Sequence, residues 1–242
     1  MVFVAAPGWQ DLSRESAYED PLQSRIDLND APPLISGAYR DVYQHPLDDN
    51  LLVKVVRPSF IELHAQRTYW SKLWSKDGYY RMLTREVGVY LALRRRGQHT
   101  LPFIQHFTGV VDTNLGLGMV VRKVRGSDGA IAPSLASRVQ REGLTQQMRN
   151  WMADLAADVV RHHIVFGDVN GYNVVCADDE EHGKRVVIVD GLSDHLLIPV
   201  NSWSFSANKA FSGRRFATAM RGLEKLDRIR RAELLLSHVD KG

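Results

Sequence analysis

The N-terminal half of the chain is dominated by short apolar runs that are typical of β-strands. LISGAYRDVYQHP and LLVKVV predict two strands, with PLDDN (46–50) as the turn between them. FIQHFTGVVDTN and GMVVRKV predict a second, hairpin-like pair of strands around a glycine turn. Farther along the chain, VVIVD (186–190) predicts a buried strand that ends in an aspartate.

Longer stretches with apolar residues at helical spacing lie between and after these runs. Residues 60–77 have this spacing, and residues 84–96 combine it with Thr84 as a capping residue and arginines at the C-terminal end. Residues 144–163 repeat apolar side chains most regularly, and from residue 208 onward the chain is again helical and basic. The spacing therefore predicts helices at all of these places.

The order of the predicted elements separates a strand-rich part from a helical part. We expect an N-terminal arm with little structure at 1–33, a small lobe at 34–126 with an insertion at 57–80, and a large helical lobe at 127–242. The glycine-containing linker RGSDGAIAP marks the boundary between the lobes. Segregated strands and helices of this kind predict an α+β fold with a cleft between its two parts.

Composition and charge describe an ordinary globular protein. Of the 242 residues, 44% are hydrophobic and 24% are charged, which is enough apolar material for a core and excludes a disordered chain. The net charge of +3 does not by itself argue for nucleic acid as a partner. A single cysteine, the lack of a signal-type start and the lack of a long apolar run predict a cytoplasmic protein without a membrane span.

The stretch FGDVNGYNVV (166–175) carries the first candidate chemistry. Asp168 and Asn173 stand at either end of one short loop, and Asp190 follows the predicted strand VVIVD. Phosphoryl transfer from ATP needs an acid that positions the attacking hydroxyl and hard oxygen ligands that hold magnesium. Each residue taken alone is also compatible with a simple turn or helix-capping role.

A lysine and a glutamate upstream complete a pattern that is typical of kinases. Lys54 interrupts LLVKVV, a strand that is otherwise wholly apolar, and Glu86 lies early in the predicted helix 84–96. Because a lysine inside a buried strand is costly without a partner, Glu86 is the expected partner of Lys54. The alternatives are a lysine that extends to solvent from an edge strand and a glutamate that is merely favoured by the helix dipole.

The chain resembles the YrbL-type family, named for the PhoP regulatory network, and more widely the protein kinases. The stretches that carry the resemblance span residues 34 to about 225: SGAYRDVYQHP, LLVKVV, REVGVYLAL, GLGMVVRKVRGSDG, DVNGYN, VVIVDGL and LIPVNSWS. The resemblance implies a bilobal protein-kinase-like fold, with a small antiparallel β lobe that has one main helix and a large lobe that is mainly helical. It also implies ATP as cofactor, with Mg²⁺ or with Mn²⁺ in its place.

On the nucleotide side, the resemblance assigns roles to four residues of this chain. Lys54 would contact the α- and β-phosphates, and Glu86 would hold that lysine. Val42 matches the valine that covers the adenine, and Gly37 matches a glycine of the phosphate-covering loop.

On the metal side, the resemblance makes Asp168 the catalytic base, Asn173 a magnesium ligand and Asp190 the principal magnesium ligand. The acceptor would be a hydroxyl of a small molecule, of a Ser or Thr side chain, or of the protein itself.

The sequence also departs from the kinase pattern at several places. Only Gly37 of the glycine-rich loop is present, and Arg40, which could itself contact a phosphate, stands at the last glycine position. Gly167 and Asn170 stand where kinases often have arginine and lysine, and the metal motif is D-G-L, not D-F-G. These departures favour an alternative, a pseudokinase that binds nucleotide and acts through a protein partner.

A third hypothesis assigns the function to the basic C-terminal helix. It predicts a polyanion-binding interaction protein that no nucleotide affects. A charged helix of this kind is more often a solvated face, so nucleic acid remains the less favoured partner.

Overall fold

The computed structural model describes residues 25–28, 32–65, 78–98, 100–180, 182–192 and 205–239. Seven strands and five α-helices lie in these ranges. In chain order they are β1 (Ile35–Ser36), β2 (Arg40–Gln44), β3 (Leu51–Val56), α1 (Pro58–Ala65), α2 (Arg81–Arg95), β4 (Phe107–Thr113), β5 (Gly116–Arg122), α3 (Leu135–Glu142), α4 (Gln146–Arg161), β6 (Val174–Asp179), β7 (Gly183–Ile188) and α5 (Phe205–Val239).

An antiparallel five-stranded sheet forms the N-terminal part, in the order β1-β2-β3-β5-β4. All six residues of β3 are buried because it is the central strand and both faces of the sheet are covered. Leu52 belongs to the core cluster on the α2 side, and Val53 and Val55 belong to the cluster on the opposite side. Since side chains alternate along a strand, Lys54 shares the α2 side with Leu52.

Residues 25–28 correct the expectation of a structureless arm as far as they are described. Ile26 and Leu28 are buried against the sheet face that lies away from α2. The backbone of Ile26 bonds to both Asp112 O (2.9 Å) and Asn114 N (3.1 Å), beside the end of β4. Two apolar residues at i, i+2 spacing are the sequence signal for this short extended segment.

Helix α2 begins three residues before the predicted start, and Thr84 does not cap it. The helix follows a 3₁₀ turn (78–80), its N-cap residue Tyr80 makes no side-chain capping bond, and the Thr84 hydroxyl donates to Arg81 O at 3.1 Å inside the helix. Of the helix predicted at 60–77, only α1 is described, and Pro58 at its first position explains the start. The rest of that predicted helix, residues 66–77, lies outside the described residues.

The C-terminal part is mainly helical. Thr145 caps α4 by accepting a hydrogen bond from Met148 N at 3.2 Å, close to the predicted start. Helix α3 was not predicted, although Ser134 caps it in the same way. Helix α5 packs against α3 and α4, and the hairpin of β6 and β7 lies beside them.

One cluster of buried side chains continues from the sheet into the helices. It includes Leu52 of β3, Phe107 of β4, Phe166 of the loop after α4, and Leu223 of α5. The predicted α+β arrangement, a small antiparallel β lobe with one main helix and a mainly helical large lobe, is thereby confirmed. Of the helices in the described ranges, none has both the length and the hydropathy that crossing a membrane requires.

Candidate functional site

The sheet and helix α2 hold two ionisable groups against the same interior. Lys54 of β3 is 5% exposed and Glu86 of α2 is 2% exposed. The ammonium of Lys54 donates a hydrogen bond to the carbonyl oxygen of Val189, the residue before Asp190. Lys54 therefore points towards the end of β7, where the predicted metal ligand lies.

Arg40, at the start of β2, is the cation that pairs with both acids. Its guanidinium lies 2.7 Å from Glu86 Oε2 and also contacts Asp190 Oδ1. The expected ion pair between Lys54 and Glu86 is not among the salt bridges of the described residues, so this expectation is corrected. A planar guanidinium carries five donors and can serve two carboxylates at once, which a compact ammonium does less well.

Burial and neighbouring charges shift the pKa values of Lys54, Glu86 and Arg40. Burial lowers the pKa of Lys54, and the nearby carboxylates of Glu86 and Asp190 only partly oppose it. Burial likewise raises the pKa of Glu86, against the opposing effect of Arg40. Desolvation disfavours a charged Arg40, but Glu86 and Asp190 outweigh it and raise its pKa. Two cations and two carboxylates thus balance in one buried cluster.

The loop after α4 brings Asp168 and Asn173 together. The side-chain amide of Asn173 donates to the backbone oxygen and to Oδ2 of Asp168, both at 2.9 Å. Asn170 shapes the same turn because its Oδ1 accepts from Tyr172 N and Asn173 N. Asp168 itself is exposed, so its carboxylate is accessible from solvent.

Gly191 joins this loop to the end of the β6–β7 hairpin. Its carbonyl accepts bonds from Gly167 N (3.0 Å) and Asp168 N (3.3 Å). Its φ is +83°, and a Cβ there would lie 2.9 Å from Asp168 O and 3.0 Å from Asn173 Nδ2. Only glycine fits this approach, which accounts for the glycine of the D-G-L motif.

The oxygen atoms of Asp168, Asn173 and Asp190 are the donors available for a metal ion. Among the described residues, no three or more His, Cys, Asp or Glu side chains form a group that could hold a metal ion. Mg²⁺ does not need such a cage because it keeps several waters and binds one or two carboxylates together with substrate phosphates. This donor set therefore fits Mg²⁺ that arrives with a nucleotide, and Arg40 already occupies one oxygen of Asp190.

The remaining predicted residues lie along β1 and β2. Gly37 N donates to Arg40 O at 2.8 Å and Gly37 O accepts from Arg57 at 2.9 Å, so this glycine forms a tight turn. Val42 lies opposite Lys54 in the sheet and packs against the large core cluster.

Sequence comparisons place these residues in a known family. The sequence profile of the family described as PhoP regulatory network protein YrbL matches residues 26–224. The chain belongs to the YrbL family. It is 26% identical over 182 residues to the proteins named "Uncharacterized protein YrbL" in Escherichia coli (strain K12) and Shigella flexneri, which covers 74% of this chain and 79% of each relative.

Among solved structures, the chain is similar to Rad53 1–466, determined in complex with AMP-PNP. The TM-score is 0.41 at 16% identity, and the match covers 66% of this chain and 36% of that longer chain. The match to the YrbL profile, described above, confirms the family predicted from the residues.

The sequence did not predict that Arg40 would pair with Glu86 and Asp190 in this YrbL family member. The sequence suggested a phosphate contact for Arg40, whereas the structure gives it two carboxylates. A signal was available: Arg40 is two residues from Val42, which lies opposite Lys54, so both cations belong to one sheet face. Two inward cations require two acids, and Glu86 and Asp190 are those acids.

Proposed function

We propose that this YrbL family member is an ATP- and Mg²⁺-dependent phosphotransferase that acts on a hydroxyl group. The observation that carries the proposal is the convergence of Lys54, Glu86 and Asp190 through Arg40 and Val189, next to the Asp168–Asn173 loop. These are the groups that phosphoryl transfer requires, and they come from separate parts of the chain.

In this proposal the small lobe binds the nucleotide. Lys54 supplies the positive charge for the phosphates, Glu86 and Arg40 fix the surrounding charge, and Gly37 and Val42 cover the nucleotide from β1 and β2. Arg40 and Lys54 already face the carboxylates of Glu86 and Asp190 in this site. The charge of a triphosphate therefore calls for a metal ion.

The large lobe supplies the metal ligands and the base. Asp190 and Asn173 would hold Mg²⁺, or Mn²⁺ in its place, and the ion supplies charge neutralisation when bound. Asp168 would accept the proton of the attacking hydroxyl, since its exposed carboxylate is accessible to an acceptor. The acceptor is a small molecule, a Ser or Thr side chain, or the protein itself. A cytoplasmic location, where ATP is plentiful, belongs to the same proposal.

One observation favours a second candidate, a pseudokinase that binds nucleotide without turnover. Arg40 occupies an oxygen of Asp190, which leaves that carboxylate less negative towards a metal ion. A module of this kind would act on a protein partner through its conformation alone.

ATP turnover distinguishes the two candidates. Purified protein is incubated with ATP and Mg²⁺, and ADP formation and phosphate incorporation into the protein are followed by chromatography and intact mass. The phosphotransferase predicts ADP formation that Asp168→Asn abolishes while nucleotide binding persists. ADP formation at the same rate in Asp168→Asn would remove Asp168 as the base, and binding without turnover would establish the pseudokinase.

A further inference from the structure

A second concave site lies at the C-terminal end of helix α2. It is a cleft of about 800 Å³ between the C-terminal end of α2, the loop before β4, the end of β5 and the β6–β7 hairpin. We call it the α2–β5 cleft. Its volume is in the range of sites that bind small molecules. Lys54, Asp168 and Asp190 do not line it.

The α2–β5 cleft is lined by more cations than acids. Five Arg or Lys and three Asp or Glu line it in the described part of the chain. Four of these cations form no salt bridge with a described carboxylate: Arg94, Arg122, Lys123 and Arg125. Of the acids, Asp179 is already paired with Arg185 at 2.7 Å. The cleft therefore keeps positive charge that no described protein group neutralises.

Two of these arginines act on one histidine. The backbone of Arg122 donates to the His106 carbonyl at 2.9 Å. Burial lowers the pKa of His106, and the positive charges of Arg122 and Arg94 lower it further. Arg94 is held in place by Phe107, because it donates to the Phe107 carbonyl at 3.2 Å and lies over the ring. Arg122 makes no side-chain hydrogen bond among the described residues, so its guanidinium is available.

Polar atoms of the lining residues are incompletely satisfied. Gln105 is 3% exposed, and its Oε1 has no hydrogen-bond partner among the described residues; the same holds for Nδ1 of His106 and Oε1 of Gln98. Buried polar atoms are normally paired, so the wall of the cleft is less well satisfied than an ordinary protein interior. Apolar side chains such as Leu101 and Ile104 line the cleft beside these groups.

We propose that the α2–β5 cleft binds a small organic molecule through its phosphate group, which the guanidinium groups of Arg94 and Arg122 recognise. Guanidinium groups match phosphate oxygens in geometry and form charge-assisted hydrogen bonds with them. The apolar part of the ligand would contact Leu101 and Ile104. This binding is independent of the phosphotransferase proposed above, because the two sites share no charged residue.

Phenyl phosphate is a suitable probe because it combines an apolar ring with one phosphate group. Calorimetry at low ionic strength should give saturable binding that weakens as salt is added, and NMR should show the His106 imidazole signals shift. Phenol, which lacks the phosphate, should not bind, and inorganic phosphate should bind more weakly. We expect Arg122→Gln and Arg94→Gln each to raise the Kd of phenyl phosphate about tenfold, the loss of one charge-assisted hydrogen bond.

Arg95→Gln is the matched control, since it removes the same charge one residue from Arg94 outside the cleft lining and should leave the Kd unchanged. Equal binding by wild type and Arg122→Gln, or no saturable binding at all, would overturn the proposal. So would loss of phenyl phosphate binding in Lys54→Met, because the probe would then occupy the proposed nucleotide site. A lack of ATP turnover would contradict the phosphotransferase but would not change the expected binding of phenyl phosphate. The two proposals can therefore be tested separately.

Discussion

Arg40 and Asp190 are separated by 150 positions in sequence, and the guanidinium of one donates a hydrogen bond to the carboxylate of the other. The same guanidinium is paired with Glu86 at 2.7 Å. Arg40 is 6% exposed and Glu86 is 2% exposed, so this pair has little water to replace a lost partner. A buried cation therefore joins the small lobe to the end of the β6–β7 hairpin, as the hydrogen bond from Lys54 to Val189 also does.

Removal of Arg40 alone should destabilise the protein. We expect Arg40→Leu to lower the free energy of unfolding by about 3–5 kcal/mol, because it leaves the carboxylate of Glu86 buried without its partner. Urea unfolding measures this change. The double variant Arg40→Leu/Glu86→Leu should recover much of the loss, since both charges are then absent. Simple additivity of the two single changes would contradict this account of the pair.

Removal of Lys54, unlike removal of Arg40, should not destabilise the protein, but it should abolish ATP binding. Its ammonium is buried and has a backbone carbonyl as its hydrogen-bond partner, so we expect Lys54→Met to leave stability unchanged or raise it by about 1–2 kcal/mol. The same variant should lose ATP binding. The exposed Lys184→Met is the control, with an expected change within about 0.5 kcal/mol. Strong destabilisation by Lys54→Met would make this lysine a structural residue.

The close approach at Gly191 gives a prediction about the geometry of the site. Gly191→Ala should cost about 1–3 kcal/mol, because its φ of +83° and its contact with Asp168 O both oppose a side chain. Gly183→Ala is a matched control: its φ is +63°, but a Cβ there meets nothing within 4 Å. Thermal unfolding should show a larger loss for Gly191→Ala than for Gly183→Ala. Equal losses would mean that the contact with Asp168 carries no energy.

Asp227 of α5 should make stability depend on pH. Burial opposes its charge, but the hydrogen bond from Leu144 N (3.1 Å) and the pair with Arg231 (2.8 Å) outweigh it and lower its pKa. We expect Asp227→Ala to cost about 1–3 kcal/mol at neutral pH. A lowered folded-state pKa means that this stabilisation is complete above an unfolded-state pKa of about 3.9 and disappears as the pH falls through the folded-state value.

The control for this prediction is Asp154→Ala, an exposed aspartate of α4 without a described partner. The difference in unfolding free energy between the wild type and Asp227→Ala should stay constant from pH 7 to about 4 and shrink as the pH falls further, through the lowered folded-state pKa. A difference that stays constant down to the lowest pH at which both proteins remain folded would show that Asp227 acts through packing and not through its charge.

The sequence predicted the elements whose pattern depends on local burial. The run LLVKVV became a central strand because burial on both faces favours apolar residues, which occupy every position except Lys54. Asp168 and Asn173 lie together in one short loop, and Gly191, the residue after Asp190, approaches both of them. Their joint role in metal binding stays a prediction.

The partner of Glu86 could not be predicted in the same way. Two cations, Lys54 and Arg40, point towards the same interior, and the sequence does not say which of them lies within salt-bridge distance of Glu86. Arg40 does so in the structure, and its side chain is the longer and more branched of the two. Helix α3 was missed because its eight residues give too short a pattern. The start of α2 was missed because its N-cap Tyr80 makes no capping bond, so no capping residue marks it.

The most direct test of the proposed nucleotide site is the binding of ATP to the full chain, measured by calorimetry with and without Mg²⁺. The account predicts saturable binding that requires Mg²⁺ and that is lost in Asp190→Ala, while a control at the exposed Asp154 binds as the wild type does. Mg²⁺-dependent ATP binding of equal affinity in Asp190→Ala, or no binding by the wild type at any Mg²⁺ concentration, would contradict it.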